Sequence, residues 1–170
     1  MKKKIGITVP AAVLLLALYM LIFGFSAQDG ETSGSISQLV SEKCVELFNR
    51  LSGGHWTESF MESLAEYFEH PLRKLAHFSE YACMGILLYF LWSQWIRRGR
   101  KLYALILLWI FCSAGLDELH QLFVPGRYGS FADVLLDTCG GSFGMLVCVG
   151  CGKLRERQSR RMKDSGQRRT

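Results

Sequence analysis

The sequence is poor in the residues that keep a chain open or stitch it together. Proline occurs 3 times and glycine 17 times in 170 residues, which excludes a collagen-like chain, and aromatics at 12% exclude a disordered one. Six cysteines invite a disulfide scaffold, yet Cys83, Cys112, Cys139, Cys148 and Cys151 all fall within or at the ends of apolar runs. That leaves Cys44 alone, and one spare thiol makes no framework. There is no internal repeat, no low-complexity block, and no serine or cysteine placed in a nucleophile elbow.

What the chain does have is apolar residues in excess. They make up 49% of it, and the mean hydropathy is +0.15 although 21% of residues are charged, so the apolar residues must be bunched. Ile5 to Phe25 is an almost unbroken run behind Lys2, Lys3 and Lys4. About 20 helical residues cross a hydrocarbon core of ~30 Å, whereas the apolar part of a cleaved signal peptide is typically ~7 to 15 residues. The run therefore reads as an uncleaved anchor. Three further stretches qualify once a few polar residues are tolerated, and the expected spans are 5–25, 72–95, 102–122 and 131–151. The length allows one domain, 1–152, followed by a basic tail, 153–170. The expected fold is all-α: a four-helix transmembrane bundle with short extracytoplasmic amphipathic helices between spans one and two.

Charge orients the bundle, because loops that stay in the cytoplasm keep lysine and arginine. With the N-terminus inside, fifteen basic residues lie inside and five outside: Lys43, Arg50, Arg73, Lys74 and Arg127. Thirteen of the fifteen acids lie outside, so the two sides sum to +13 and −8. The expectation is a multi-pass protein of the cell membrane with both termini cytoplasmic. The basic residues flank spans and lack aromatic interleaving, so topology and anionic lipid explain them, and no nucleic acid partner is expected. Cys148-Val149-Gly150-Cys151 at the inner end reads as packing ahead of a redox pair. Tyr81, Trp92, Trp95, Trp109 and Tyr128 read as interface anchors or packing.

The outer segment 26–70 begins as a loop by composition, Ser26 to Ser35. Ile36, Leu39, Val40, Leu47, Phe48 and Leu51 then recur at helical spacing, and Ser52-Gly53-Gly54 ends that helix. A second amphipathic helix carries Phe60, Met61, Leu64 and Phe68, and Pro71 is read as the first-turn residue of span two. The two short helices cover the outer mouth of the bundle, lie in the membrane interface, or merely link the first two spans.

Charges inside the spans carry the functional signal, since one near the bilayer centre costs roughly 2.5 to 3.5 kcal/mol even on lenient scales. Here they are clustered. Span two shows Arg73, His77, Glu80 and Met84 as one stripe; span three ends outward in Ser113, Asp117, His120 and Gln121, with Glu118 turned about 100° away. Val124-Pro125-Gly126-Arg127 suits a type II turn. Ser130 reads as a helix start, with the acid Asp133 reaching back to the cap. Asp133, Asp137, Gly140, Gly141 and Gly144 continue along span four, small residues there admitting a close neighbour. Acids from three helices, two of those helices also bringing a histidine, thus meet at one extracytoplasmic depth, in a wetted pocket.

The candidate pocket is His77, Glu80, Asp117, Glu118, His120, Gln121, Arg127, Asp133 and Asp137, and several readings stay open. It can be an ion-pair network that joins helices. His77, Glu80, Asp117 and His120 can supply a divalent metal, although no cofactor is required. A histidine paired with Asp117 can act as general acid and base on a lipid head group, Arg127 gripping phosphate or merely snorkelling from its turn.

Lys74-x-x-His77-Phe78-x-Glu80-Tyr81-x-x-x-Gly85, Asp117-Glu118-x-His120-Gln121-x-Phe123-x-Pro125-Gly126-Arg127 and Asp133-x-x-x-Asp137-x-x-Gly140, preceded by Phe25-Ser26-x-Gln28, resemble the VanZ-like family, named for a teicoplanin-resistance protein. The resemblance runs from near the first span to about Gly144. It implies a bacterial multi-spanning membrane protein of the cell envelope, in some members lowering susceptibility to a lipid-bearing glycopeptide antibiotic. The expected partner is a membrane lipid or lipid-linked envelope molecule, and the alternative is an intramembrane acid-base or metal-dependent enzyme modifying a lipid head group.

Overall fold

The computed structural model describes the backbone of residues 2–167 and the side chains of residues 8–162, so the side chains of Lys2, Lys3, Lys4, Lys163, Asp164, Arg168 and Arg169 used in the charge count lie outside the described residues. Five helices follow in order: α1 Lys2–Ser26, α2 Gly30–Leu51, α3 Glu58–Trp92, α4 Arg100–Gln121 and α5 Phe131–Gln167. The described residues contain no strand. Thr8–Ser26, Glu58–Trp92, Arg100–Gln121 and Phe131–Met162 are each long and apolar enough to cross a membrane. The protein is an all-α, multi-pass membrane protein, as composition and run length required.

Three boundaries differ from the sequence reading, one being that α5 continues past 151 through most of the basic tail to Gln167. The stretch expected as a loop is already helical from Gly30, because Asp29 caps it: its Oδ1 accepts from the Thr32 amide at 2.7 Å, and Glu31 in the first turn suits the positive end of the helix. More consequential is Pro71, which does not begin span two but lies inside α3. Pro71 lacks the N–H that would bond the Tyr67 carbonyl, and Tyr67 lies on the exposed side of the helix, 73% accessible. Helices packed on both halves of α3 hold it continuous through the proline.

The first half of α3 carries α2. Ser41 Oγ donates to the Ala65 carbonyl at 2.6 Å, Ser37 donates to Glu69, and Asn49 Oδ1 accepts from the Trp56 amide at 3.1 Å. Val45 and Ala65 are buried between the two helices, while Leu39, Leu47, Phe48 and Leu51 stay exposed. The second half of α3 packs in the core with α4 and α5 around Tyr81, Met84, Leu88, Leu102, Ile106, Ile110 and Met145, and α1 adds Ile22. Tyr81 is therefore core packing and no interface anchor.

Lipid tails are as apolar as leucine, so close packing rather than water exclusion must join these helices. Glycine supplies it between α3 and α5. A Cβ on Gly85 would run into the Gly141 carbonyl, one on Gly140 into Phe78, and one on Gly144 into Ala82. The pairs Lys74 with Asp133, Phe78 with Gly140, Ala82 with Gly144 and Arg98 with Glu156 ascend together, so α3 and α5 run parallel. The polar starts of α3 and α5 and the polar finish of α4 consequently gather at the end of the bundle that carries α2.

Candidate functional site

The rim of this end is built by the α4–α5 turn. Arg127 N–H donates to the Val124 carbonyl at 3.2 Å with Gly126 at φ 71°, the type II geometry that Pro125-Gly126 implied. The turn then ties down the other connection. Gly30 N–H donates to the Pro125 carbonyl at 3.0 Å, while Arg127 donates through Nε to Gln28 O at 3.2 Å and through a terminal nitrogen to Phe25 O at 3.0 Å. Arg127 thus clamps a carbonyl in the last turn of α1 as well as facing the pocket.

Glu118 and Asp133 take roles the spacing did not assign them. Glu118 is 6% exposed, and its Oε2 accepts from the Ser130 amide at 2.7 Å, so the carboxylate that reaches the start of α5 comes from α4. Asp133 instead meets Lys74 Nζ at 2.7 Å across α3 and α5. Glu118 lines the pocket, although it is turned about 100° from Asp117 along α4.

Deeper down, three helices converge. His77 of α3, Asp117 of α4 and Asp137 of α5 each present a ligand-type atom, and these atoms all lie within 4.8 Å of one another. His77 Nδ1 is 3.8 Å from Asp137 Oδ2. Asp137 is fully buried, and neither of its oxygens has a hydrogen-bond partner. Gln121 Nε2 lies 3.3 Å from Asp117 Oδ2 and 3.4 Å from Ser26 Oγ, which sets Asp117 against the end of α1.

The four-residue set of His77, Glu80, Asp117 and His120 is not the one that closes up. His120 turns to α1, its ring 4.7 Å from that of Phe23 with Nδ1 buried and unpartnered. Glu80 lies beside the cluster and lines a separate apolar recess. Asp137 takes their place because α5 runs parallel to α3 at glycine-packed distance, a tertiary fact no i, i+3 count contains.

Two cavities open here. The larger, about 340 Å³, is lined by His70, Arg73, Lys74, His77, Arg127, Glu118 and Asp133 among others. The smaller, about 230 Å³, is lined by Phe25, Ile36, Val40 and Leu72 as well as Glu80. Both share Arg73, His77 and Arg127. Burial, and then the nearby Arg73, pull the Arg127 guanidinium below its usual pKa, although arginine remains protonated. Of the lining residues that sequence reasoning missed, His70, Tyr128 and Leu136 among them, His70 is the one that brings an imidazole. The signal was present, since His70, Arg73, Lys74 and His77 follow helical spacing, but ending the helix at Pro71 hid it.

A family model described as VanZ/LLP1 matches residues 11–152, a span that holds all nine pocket residues read from the sequence. No curated protein and no solved structure gives a match.

Proposed function

The chain belongs to the VanZ/LLP1 family, and we propose that it is a cell-envelope membrane protein whose α2 end faces outward and binds the anionic head group of a membrane lipid or lipid-linked envelope molecule. Both termini are then cytoplasmic, in keeping with the +13 and −8 division of charge. One observation carries the reading: a cation-lined cavity and an apolar recess meet at Arg73, His77 and Arg127. An amphiphile needs that juxtaposition. Phosphate or carboxylate sits against guanidinium groups, which bind such oxygens in bidentate fashion, and the adjoining acyl segment leaves along Phe25, Ile36, Val40 and Leu72. A lipophilic glycopeptide of the teicoplanin type offers the same pairing of acyl tail and polar body, so capture of the drug or of a lipid-linked target accounts for tolerance.

Lipid retention tests the proposal. Protein purified in mild detergent and mixed with phosphatidylglycerol or phosphatidylcholine should retain the anionic lipid in native mass spectrometry. Arg73→Gln should weaken retention about 10-fold, the equivalent of ~1.4 kcal/mol. Arg73 is the better target, because among the described residues its contacts are with Glu69 at 3.8 Å and His70 at 3.1 Å on its own helix, whereas Arg127 also secures α1. Equal retention of the two lipids, or none, overturns the reading. Susceptibility and lipid profiles of a deletion strain complemented with wild type or Glu80→Gln place the effect in the cell.

A second reading, acid-base or metal-assisted modification of the bound head group, is favoured by His77 lining both cavities while standing beside Asp137. His77→Gln then abolishes turnover and leaves retention intact.

A further inference from the structure

Asp137 has no hydrogen-bond partner for either carboxylate oxygen, its nearest cationic group being the His77 ring at 3.8 Å, and no exposure to water, a situation that a carboxylate between membrane helices does not sustain without compensation. The nearby lysine and arginines have contacts of their own, and none of these contacts is with Asp137: Lys74 meets Asp133, Arg73 meets Glu69, and Arg127 meets the carbonyls of Phe25 and Gln28. Glu80 beside the cluster adds another acid. What the arrangement lacks is positive charge at the centre of His77, Asp117 and Asp137.

We infer that these three residues form a site for one divalent cation of the class that accepts mixed imidazole and carboxylate ligands, Zn²⁺ or Mn²⁺. The spacing supports this. At 3.8 Å, His77 Nδ1 and Asp137 Oδ2 are too far apart for a hydrogen bond. Two ligands bound at ~2.1 Å to a tetrahedral ion stand about 3.4 Å apart, so a few tenths of an ångström of side-chain adjustment brings this pair onto an ion. Asp117 completes a three-ligand set drawn from three helices, and Gln121 holds its other flank in the way outer partners orient metal ligands. The glycine contacts of α3 with α5 begin within a turn of His77 and Asp137, so the backbone positions are preset. Three protein ligands leave a coordination position open, and His77 also lines the larger cavity, which directs that position to the space assigned above to a head group. The site does not depend on the head-group reading, because the ion can bind with no lipid present.

The experiment uses the full chain in detergent, stripped with chelator and titrated with Mn²⁺ while the electron paramagnetic resonance signal of the free ion is followed. Mn²⁺ avoids the six free thiols, and a parallel Zn²⁺ load is counted by elemental analysis. Wild type should take up one Mn²⁺ per chain and gain thermal stability on doing so. Asp137→Asn and Asp117→Asn should each weaken uptake roughly 100-fold or more, while Glu46→Gln on exposed α2 should bind as wild type. Should either asparagine variant fail to elute as folded protein, the other and His77→Gln supply the comparison. The site is disproved by a wild type that takes up neither ion at 1 mM, or by folded Asp137→Asn or Asp117→Asn that keeps full uptake. Lipid retention, read separately with Arg73→Gln, can stand or fall without altering either result.

Discussion

Glu118 shows how a buried acid is settled by its neighbour in space. The Ser130 amide is one of the orphan donors at the start of α5, and Glu118 Oε2 satisfies it from α4. Glu118→Ala leaves that amide without its acceptor and should cost about 1 to 3 kcal/mol in detergent unfolding, while Glu118→Gln, which keeps an acceptor oxygen, should lose much less. Asp29 belongs to the same scale. Hydrogen bonds from Thr32 hold its carboxyl below the usual carboxylate range. A folded value below the unfolded one means the cap contributes fully above the unfolded pKa and is lost as pH falls through the folded value. Protection from amide exchange at the first turn of α2, taken relative to the intrinsic rate at each pH, should therefore fall on acidification, and Asp29→Asn should remove that dependence.

Among the elements, the α3–α5 pair sets everything that follows. Gly85 admits the Gly141 carbonyl, so Gly85→Ala overpacks a contact with no flexible side chain to yield, and a loss of about 1 to 3 kcal/mol is expected. Gly24 on α1 has open space around it, and Gly24→Ala should be neutral or stabilise by roughly 0.5 to 1 kcal/mol. Unfolding both variants in the same detergent separates close packing from general glycine flexibility. The pair also explains why Asp137 rather than Glu80 or His120 joins His77. Spacing along one helix places residues on a face, whereas the rotation of that face toward a neighbour depends on which helix lies closest.

At the scale of the molecule, the number of membrane-length helices, the all-α class and the end of the bundle where polar residues gather were legible in the chain, because run length against bilayer thickness and charge asymmetry are properties of sequence alone. So was the type II turn at Pro125-Gly126. Orientation is checked by cysteine labelling: in a cysteine-free background, Ser52→Cys should react with a membrane-impermeant maleimide in intact cells, and Ser159→Cys only after lysis. The continuity of α3 through Pro71 was not legible, since a proline's local preference is overridden by helices packed on either side of it. Nor was the partition of acids, with Glu118 on a backbone amide, Asp133 on Lys74 and Asp137 beside His77. The amino acids by themselves determined that costly polar groups would share one depth, because period and hydropathy act along the chain. Only the tertiary structure decided which of them meet, because each pairing depends on the rotation and separation of whole helices, and those follow from where glycine lets α3 and α5 touch.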